Sequence, residues 1–352
     1  MGDVLLTGPA VRAVAASGAE VTFVAGPPGA AAAALLPGVH RVLEWRAPWI
    51  DPEPGAFDQE AVRSLVGEVR ALGPDTAVIF TSFHQSALPT ALALRMAGVP
   101  WIAAISEDYP GALLDLRHLP TGDIPEAERN LALVRAAGFA LPPGDTGRLA
   151  VTASLPDSRE LTGGGRYVVV HASASVPARS PSADRTKAMV TALAAAGYRV
   201  VVTGSAAEAG LTAAVCRPAA QSPGPPVDLG GRTSLPQLAA VLAGAEVVVA
   251  PNTGAAHLAA AVGSPVVSLF APVVPAARWA PYGTPAIVLG RPDAPCAGSR
   301  ARVCPVPGHP CLDSVDPADV VAAVRALGGR SHADRAPVPN QLNARPGAEV
   351  RR

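Results

Sequence analysis

The chain predicts an α/β protein made of two doubly wound units with parallel sheets, and three observations carry that prediction. Two separate series of short apolar runs alternate with helical patterns, as expected of strands joined by helical crossovers. A stretch rich in Pro, Gly, Ser and Thr separates the two series. The 352 residues exceed what one core commonly holds and suit two domains of ordinary size.

The first series comprises "EVTFVA" (20–25), "HRVLEW" (40–45), "DTAVIF" (75–80) and "VPWIAAIS" (99–106). Between them a helix is predicted over 59–72, after Asp58 as N-cap, and another over 125–137 closes this half. The stretch 141–165 ends in Gly163-Gly164-Gly165 and is the predicted linker, so 1–140 forms the first domain. The second series comprises "YVVVHA" (167–172), "YRVVVTG" (198–204), "VDLGG" (227–231), "EVVVA" (246–250) and "PVVSLFA" (265–271), with helices predicted over 182–196, 235–243 and 255–262. This second domain spans 166–327. From 328 to 352 the chain is polar, rich in Arg and Pro and without periodicity, so a disordered tail is expected.

The first series opens oddly. "MGDVLLTGPAVRAVAASG" passes from a loop into a helical pattern with no strand before it, whereas a doubly wound domain places its first strand centrally. The expectation is a domain lacking its first strand, with a gap in the sheet and Met1 an internal methionine of a longer natural protein.

Composition narrows the function classes. Hydrophobic residues make up 49% and charged residues 16%, enough apolar material for packed cores. The 28 basic and 28 acidic residues cancel, and no basic stretch is interleaved with aromatics, which argues against nucleic-acid binding. The N-terminus lacks the pattern of a signal peptide, so a cytoplasmic address is expected. The window 258–277 carries no charge, but Gly263, Pro265, Pro272 and Pro275 break it into helix, strand and loop. Cys216, Cys296, Cys304 and Cys311 are then expected as reduced thiols, and the spacing of the last three, with His309 nearby, lacks the paired short intervals of a zinc site.

The stretch carrying the most chemistry is "EVVVAPNTGAAHLAAAV" (246–262). A buried parallel strand breaks at Pro251 into Asn252-Thr253-Gly254 and resumes as a helix. Open α/β sheets bind ligands at the carboxyl ends of their strands, and a helix N-terminus offers free N–H groups and the positive end of its dipole. Gly254 permits close approach of a phosphate, and His257 falls in the first turn. On these residues alone, Asn252 or Thr253 as a plain helix cap and His257 as an ordinary surface residue account equally well for the pattern.

The longer run "NTGAAHLAAAVGSPVVSLFAPVVPAARWAPYG" (252–283) resembles the hallmark segment of glycosyltransferase family 9, the heptosyltransferase family. "MGDVLLTGPAVRAV" is similar to its N-terminal segment, "VVVHASASVPARS" to its strand and loop ending in a basic residue, and "VVTGSAAEAGL" to its strand-loop-helix carrying a glutamate. The resemblance runs from Gly2 to about residue 327 and implies the GT-B architecture. That means two Rossmann-like domains facing a cleft, the first holding the acceptor and the second the nucleotide sugar. It also implies inverting transfer with no metal and no cofactor besides the nucleotide-sugar substrate, in keeping with the lack of a D-x-D motif.

Carried over residue by residue, the resemblance makes Asp3 the catalytic base, with capping of the following helix as its alternative. Arg179 becomes the cation that stabilises the leaving diphosphate, with a solvated loop arginine as its alternative. Glu208 is placed near the nucleoside. His171, Ser173 and Ser175 line the donor side together with Asn252, Thr253, Gly254 and His257. His84 and Gln85 are expected acceptor contacts. Asn252 departs from the family, many of whose members have aspartate there, and this leaves the donor sugar open. The segment "CAGSRARVCPVPGHPCL" (296–312) is similar to a cysteine-bearing region of part of the family and is read as a packed loop. The implied partners are a nucleotide-sugar donor, possessing heptose and ADP or other groups, and a glycan or glycolipid acceptor. A non-catalytic nucleotide-sugar-binding protein is the reading from a different class, and peripheral contact with a membrane and the oligomeric state stay open.

Overall fold

The computed structural model describes residues 1–51, 54–82, 85–152, 154–220 and 224–328. The chain divides into two compact units, Met1–Ala153 and Ser154–Arg352.

The first unit begins with helices Gly2–Leu6 and Gly8–Ala15 and then places five strands: β1 (Val21–Ala25), β2 (Val39–Glu44), β3 (Thr76–Ile79), β4 (Trp101–Ile105) and β5 (Leu116–His118). They form two parallel sheets, β1-β2 and β3-β4-β5. In a doubly wound order of 3-2-1-4-5-6, the place of a first strand falls between this pair and this triplet. Helix Gly8–Ala15 packs on helix Glu126–Ala136 through Ala10, Ala13, Leu131 and Val134. β1 is only partly covered, with Val24 41% exposed, unlike the central strands of the second unit.

Helix Gln59–Leu72 starts as predicted: the Asp58 carboxylate accepts from the N–H groups of Glu60 and Ala61, and Gly73 ends the helix at φ 60°. Part of the stretch expected as linker is ordered. The Asp145 carboxylate takes two hydrogen bonds from the Arg12 guanidinium, at 2.6 and 2.9 Å, and Thr152 N–H donates to Leu35 C=O. Polar composition here serves an ion pair and a turn, with Leu149 buried beneath. Further on, Arg159–Thr162 is a short helix.

The second unit adds β6 (Val168–His171), β7 (Val200–Thr203), β8 (Val227–Asp228), β9 (Val247–Pro251), β10 (Val266–Leu269) and β11 (Ala286–Leu289). Their order is β11-β10-β9-β6-β7-β8, all parallel, which within the unit is 3-2-1-4-5-6 read from the β8 edge. The valines of β6, β7 and β9 are at most 1% exposed. A parallel sheet covered by helices on both faces requires such unbroken apolar runs, each buried valine contributing about 1.5–3 kcal/mol. Ser182 caps helix Ala183–Ala195, and Ser234 with Gln237 forms a capping box at helix Leu235–Ala243. The final helix, Pro317–Gly328, keeps Gly328 helical, one residue into the stretch expected as tail. Residues 329–352 lie outside the described residues.

Candidate functional site

In the second unit the strand order reverses between β6 and β9, and the expected donor residues gather at the carboxyl ends of the strands around that point. A 3-2-1-4-5-6 sheet opens a crevice there, because the crossovers on either side leave in opposite directions.

After β9, Asn252 is 5% exposed and its side-chain amide faces the loop that follows β10. Its Oδ1 accepts from Ala271 N–H at 3.3 Å, and its Nδ2 donates to Ala271 C=O at 3.5 Å. The departure from aspartate therefore has a structural use, since a carboxylate could accept from Ala271 N–H but could not donate to its carbonyl. Thr253 is the N-cap of helix Gly254–Ala261 and makes no side-chain cap hydrogen bond. Asn252 therefore clamps a neighbouring loop, and Thr253, although it is the N-cap residue, gives the first turn no side-chain hydrogen bond.

His257 sits in the first turn of that helix, 5% exposed, and its Nδ1 meets no hydrogen-bond partner among the described residues. Burial, together with the charge of the Arg179 guanidinium, pushes its pKa down to about 4. The imidazole is neutral near pH 7 and acts as a donor or acceptor without being a cation.

On the other side of the reversal, His171 Nδ1 lies 3.0 Å from Thr203 Oγ1, linking the ends of β6 and β7. Burial lowers the His171 pKa, while the Glu208 carboxylate opposes that shift. Glu208 closes a capping box with Ser205, whose N–H donates to Oε2 at 2.6 Å. Burial alone would raise its pKa, but hydrogen bonds from Ser205 and from the Ser173 hydroxyl hold it below the ordinary carboxylate range. Glu208, Ser173 and His171 are thereby one polar cluster. The loop carrying Ser173 and Arg179 folds back on itself through Ser180, whose Oγ accepts from Ala174 N–H at 2.9 Å and lies 3.3 Å from Ser173 Oγ. Arg179 ends the 3₁₀ turn Pro177–Arg179, and Ser175 is exposed on the same loop.

Sequence reasoning missed Thr203, Ser180 and Ser205, the groups that hold this cluster. The small polar residues closing "VVVTGS" (200–205) were the available signal. The cysteine segment packs as a loop, as its sequence suggested. Cys296 and Cys311 are buried free thiols, and burial with the neighbouring Cys296 and Cys304 pushes Cys311 up to about 11. Such thiols act as core atoms near neutral pH.

In the first unit, Asp3 is exposed in the first turn of helix Gly2–Leu6. Gln85 Oε1 accepts from Ser82 N–H at 3.0 Å and closes the turn after β3. His84 lies outside the described residues. A buried ion pair that the sequence did not suggest stands nearby: Arg129 donates to Glu126 at 3.2 Å and to Thr81 C=O at 3.3 Å. His118, at the end of β5, is held below its ordinary pKa by burial and by the Arg129 charge.

The state of His257 has a consequence for stability. Unfolded, a histidine titrates near 6.5, so below that pH the unfolded chain binds a proton that the folded chain excludes. Stability is full above about pH 6.5 and falls as pH drops toward 4, by up to about 3 kcal/mol from this group. Urea unfolding of the wild type and of His257→Gln between pH 7 and pH 4.5 should show the steeper decline in the wild type; parallel curves would contradict the assignment.

Open α/β sheets of this strand order commonly hold ligands at such a switch point. The family follows from the sequence as a whole: residues 81–309 match the model of glycosyltransferase family 9 (heptosyltransferase), and the chain belongs to that family. It is a glycosyltransferase. No curated protein sequence matches it. Among solved structures it is similar to ADP-heptose LPS heptosyltransferase II of E. coli, with 20% identity and a TM-score of 0.70 over 93% of this chain and 95% of that one. It is also similar to a family 9 glycosyltransferase from Veillonella parvula, with 17% identity and a TM-score of 0.73 over 94% of each chain. E. coli heptosyltransferase WaaC with ADP matches at 19% identity and a TM-score of 0.64 over 93% of this chain and 96% of that one. At such identities the likeness establishes the fold, α/β of the GT-B type. Among the described residues, no helix is long and apolar enough to cross a membrane.

Proposed function

We propose that the chain transfers a sugar from a nucleoside diphosphate to a hydroxyl of a cell-envelope glycan or glycolipid, with inversion at the anomeric carbon and no metal required. Heptose from ADP-heptose is the first donor to test, because solved relatives in the family are described with ADP and with an ADP-heptose analogue.

The observation that carries this reading is His257: buried, neutral, with Nδ1 unpartnered among the described residues, and within electrostatic reach of Arg179 at an uncapped helix N-terminus. A diphosphate oxygen supplies the acceptor that a His257 Nδ1–H lacks among the described residues. As the bond to the leaving group breaks, negative charge grows on the diphosphate, where Arg179, the first-turn amides and the His257 N–H stabilise it. Asp3 takes the proton of the attacking hydroxyl. Glu208, with Ser173 and His171, faces the nucleoside, and His84 and Gln85 contact the acceptor.

The test is calorimetric titration with ADP, UDP and GDP, each free and as a sugar conjugate, ADP-heptose included. Selective binding of ADP-heptose supports the reading in full. Selective binding of another nucleotide sugar keeps the transferase and replaces the donor. Binding without turnover, over a broad acceptor panel, would instead favour a nucleotide-sugar-binding protein.

A further inference from the structure

The loop that carries the three clustered cysteines has a task that neither composition nor motif reveals. It runs from the end of β11 to the short helix Pro310–Asp313, and its cysteines anchor it: Cys296 and Cys311 are 3% and 1% exposed, and Cys304 packs against the same core. From that anchorage the loop reaches the turn bearing Arg179 at two points, and the helix after it reaches the residue that caps the next helix. Ala178 N–H donates to Arg302 C=O at 2.9 Å, His309 Nε2–H donates to Ala178 C=O at 3.1 Å, and Ser182 N–H donates to the Asp313 carboxylate at 2.8 Å. Ala178, the residue next to Arg179, is thus held on both its N–H and its C=O, and it is 1% exposed.

The backbone of the loop is shaped for this grip. Among the described residues only Arg300 and His309 are non-glycine residues in the left-handed region, at φ 58° and 45°, and both lie on this loop. Neither suits that region as glycine would, so the surrounding packing holds them there. Arg300 N–H donates to Val273 C=O and Gly298 N–H to Pro272 C=O, which pins the same loop to the chain after β10. The hydrogen bond from His309 to a carbonyl fixes its tautomer, with the proton on Nε2.

We infer that His309 is a positioning residue: through its hydrogen bond to Ala178 C=O it fixes the turn that aims Arg179 at the donor diphosphate. This inference rests on the reading of Arg179 as a diphosphate contact. A guanidinium on a turn held at one point swings about that point, whereas one held on both sides of the preceding residue is preorganised and loses less freedom on binding. His309 touches no substrate, and its effect passes through Arg179.

Two variants separate the bond from the backbone. A glutamine amide reaches about as far as Nε2 and keeps a donor for Ala178 C=O. An asparagine amide stops near the Nδ1 position but accepts the left-handed backbone more readily. With ADP as the probe, replaced by UDP or GDP if the titrations above select it, His309→Asn should weaken binding about fivefold to tenfold, as expected for one lost hydrogen bond. His309→Gln should stay within about twofold of wild type. Thermal unfolding of each variant is followed alongside, so that affinity is compared on folded protein.

The decisive arm is the double-mutant cycle with Arg179→Ala. The effect of His309→Asn on nucleotide affinity should vanish when Arg179 is absent. An equal effect in both backgrounds, or unchanged affinity in folded His309→Asn, overturns the positioning role. If Arg179→Ala alone leaves nucleotide affinity unchanged, the diphosphate reading of Arg179 fails first, and that outcome is distinct from the other two.

Discussion

Asp3→Asn is expected to lower kcat by about 10²- to 10⁴-fold while leaving donor affinity unchanged, the effect of removing a general base from a proton transfer. Asp3 is exposed in the first turn of helix Gly2–Leu6, so the substitution tests chemistry with little disturbance of packing. An acid at that position interacts favourably with the helix dipole, and its loss should change unfolding free energy by under about 1 kcal/mol. Turnover at saturating donor, with a denaturation curve for each protein, is the measurement. Full activity in Asp3→Asn would leave the residue as a helix-terminus charge and send the search for the base elsewhere in the first unit.

Arg179→Ala carries the second large effect. A cation facing charge that develops only as the leaving group departs should matter more for kcat than for ground-state binding, with a loss of about 10²- to 10³-fold in kcat and a smaller loss in nucleotide affinity. Arg179→Lys should recover part of the charge but not the planar fork, and so fall between the two. The state of His257 sharpens the expectation. Buried and pushed down to about pKa 4, it carries no charge near neutral pH and cannot substitute for the missing guanidinium. Equal kcat in wild type and Arg179→Ala, measured with saturating donor, would remove the arginine from the leaving-group role.

β6, β7 and β9 of the second unit were legible because each carries a buried run of three valines, the pattern that sheet burial imposes. β5 and β11 were not. β5 is three residues long and carries Arg117 and His118, and β11 is a half-buried edge, so neither needs a long apolar run. At the candidate site, the break after β9 was legible, but the use of each side chain did not follow from its type. Asn252 clamps Ala271, and Glu208 closes a capping box while joining Ser173 and His171, because partners distant in sequence decide what a short polar side chain does. The boundary between the two units falls within the segment 141–165, but how much of that segment is ordered was not legible, for a related reason. Its turn-forming composition is common to linkers and to ordered turns, and only the pairing of Asp145 with Arg12, 133 residues away, distinguishes them.

The divided sheet of the first unit has a consequence for how the molecule opens. In the second unit β6 and β9 are each flanked by strands on both sides, so exposing their amides means breaking two ladders within one continuous sheet. In the first unit β1 pairs only with β2, and β3, among the described residues, only with β4. Exposing β1 breaks one ladder and little packing, as its partial cover indicates. Amide exchange and proteolytic nicking follow such local openings long before global unfolding. Among the described residues, the amides of β1 and β3 are therefore expected to exchange ahead of those of β6 and β9.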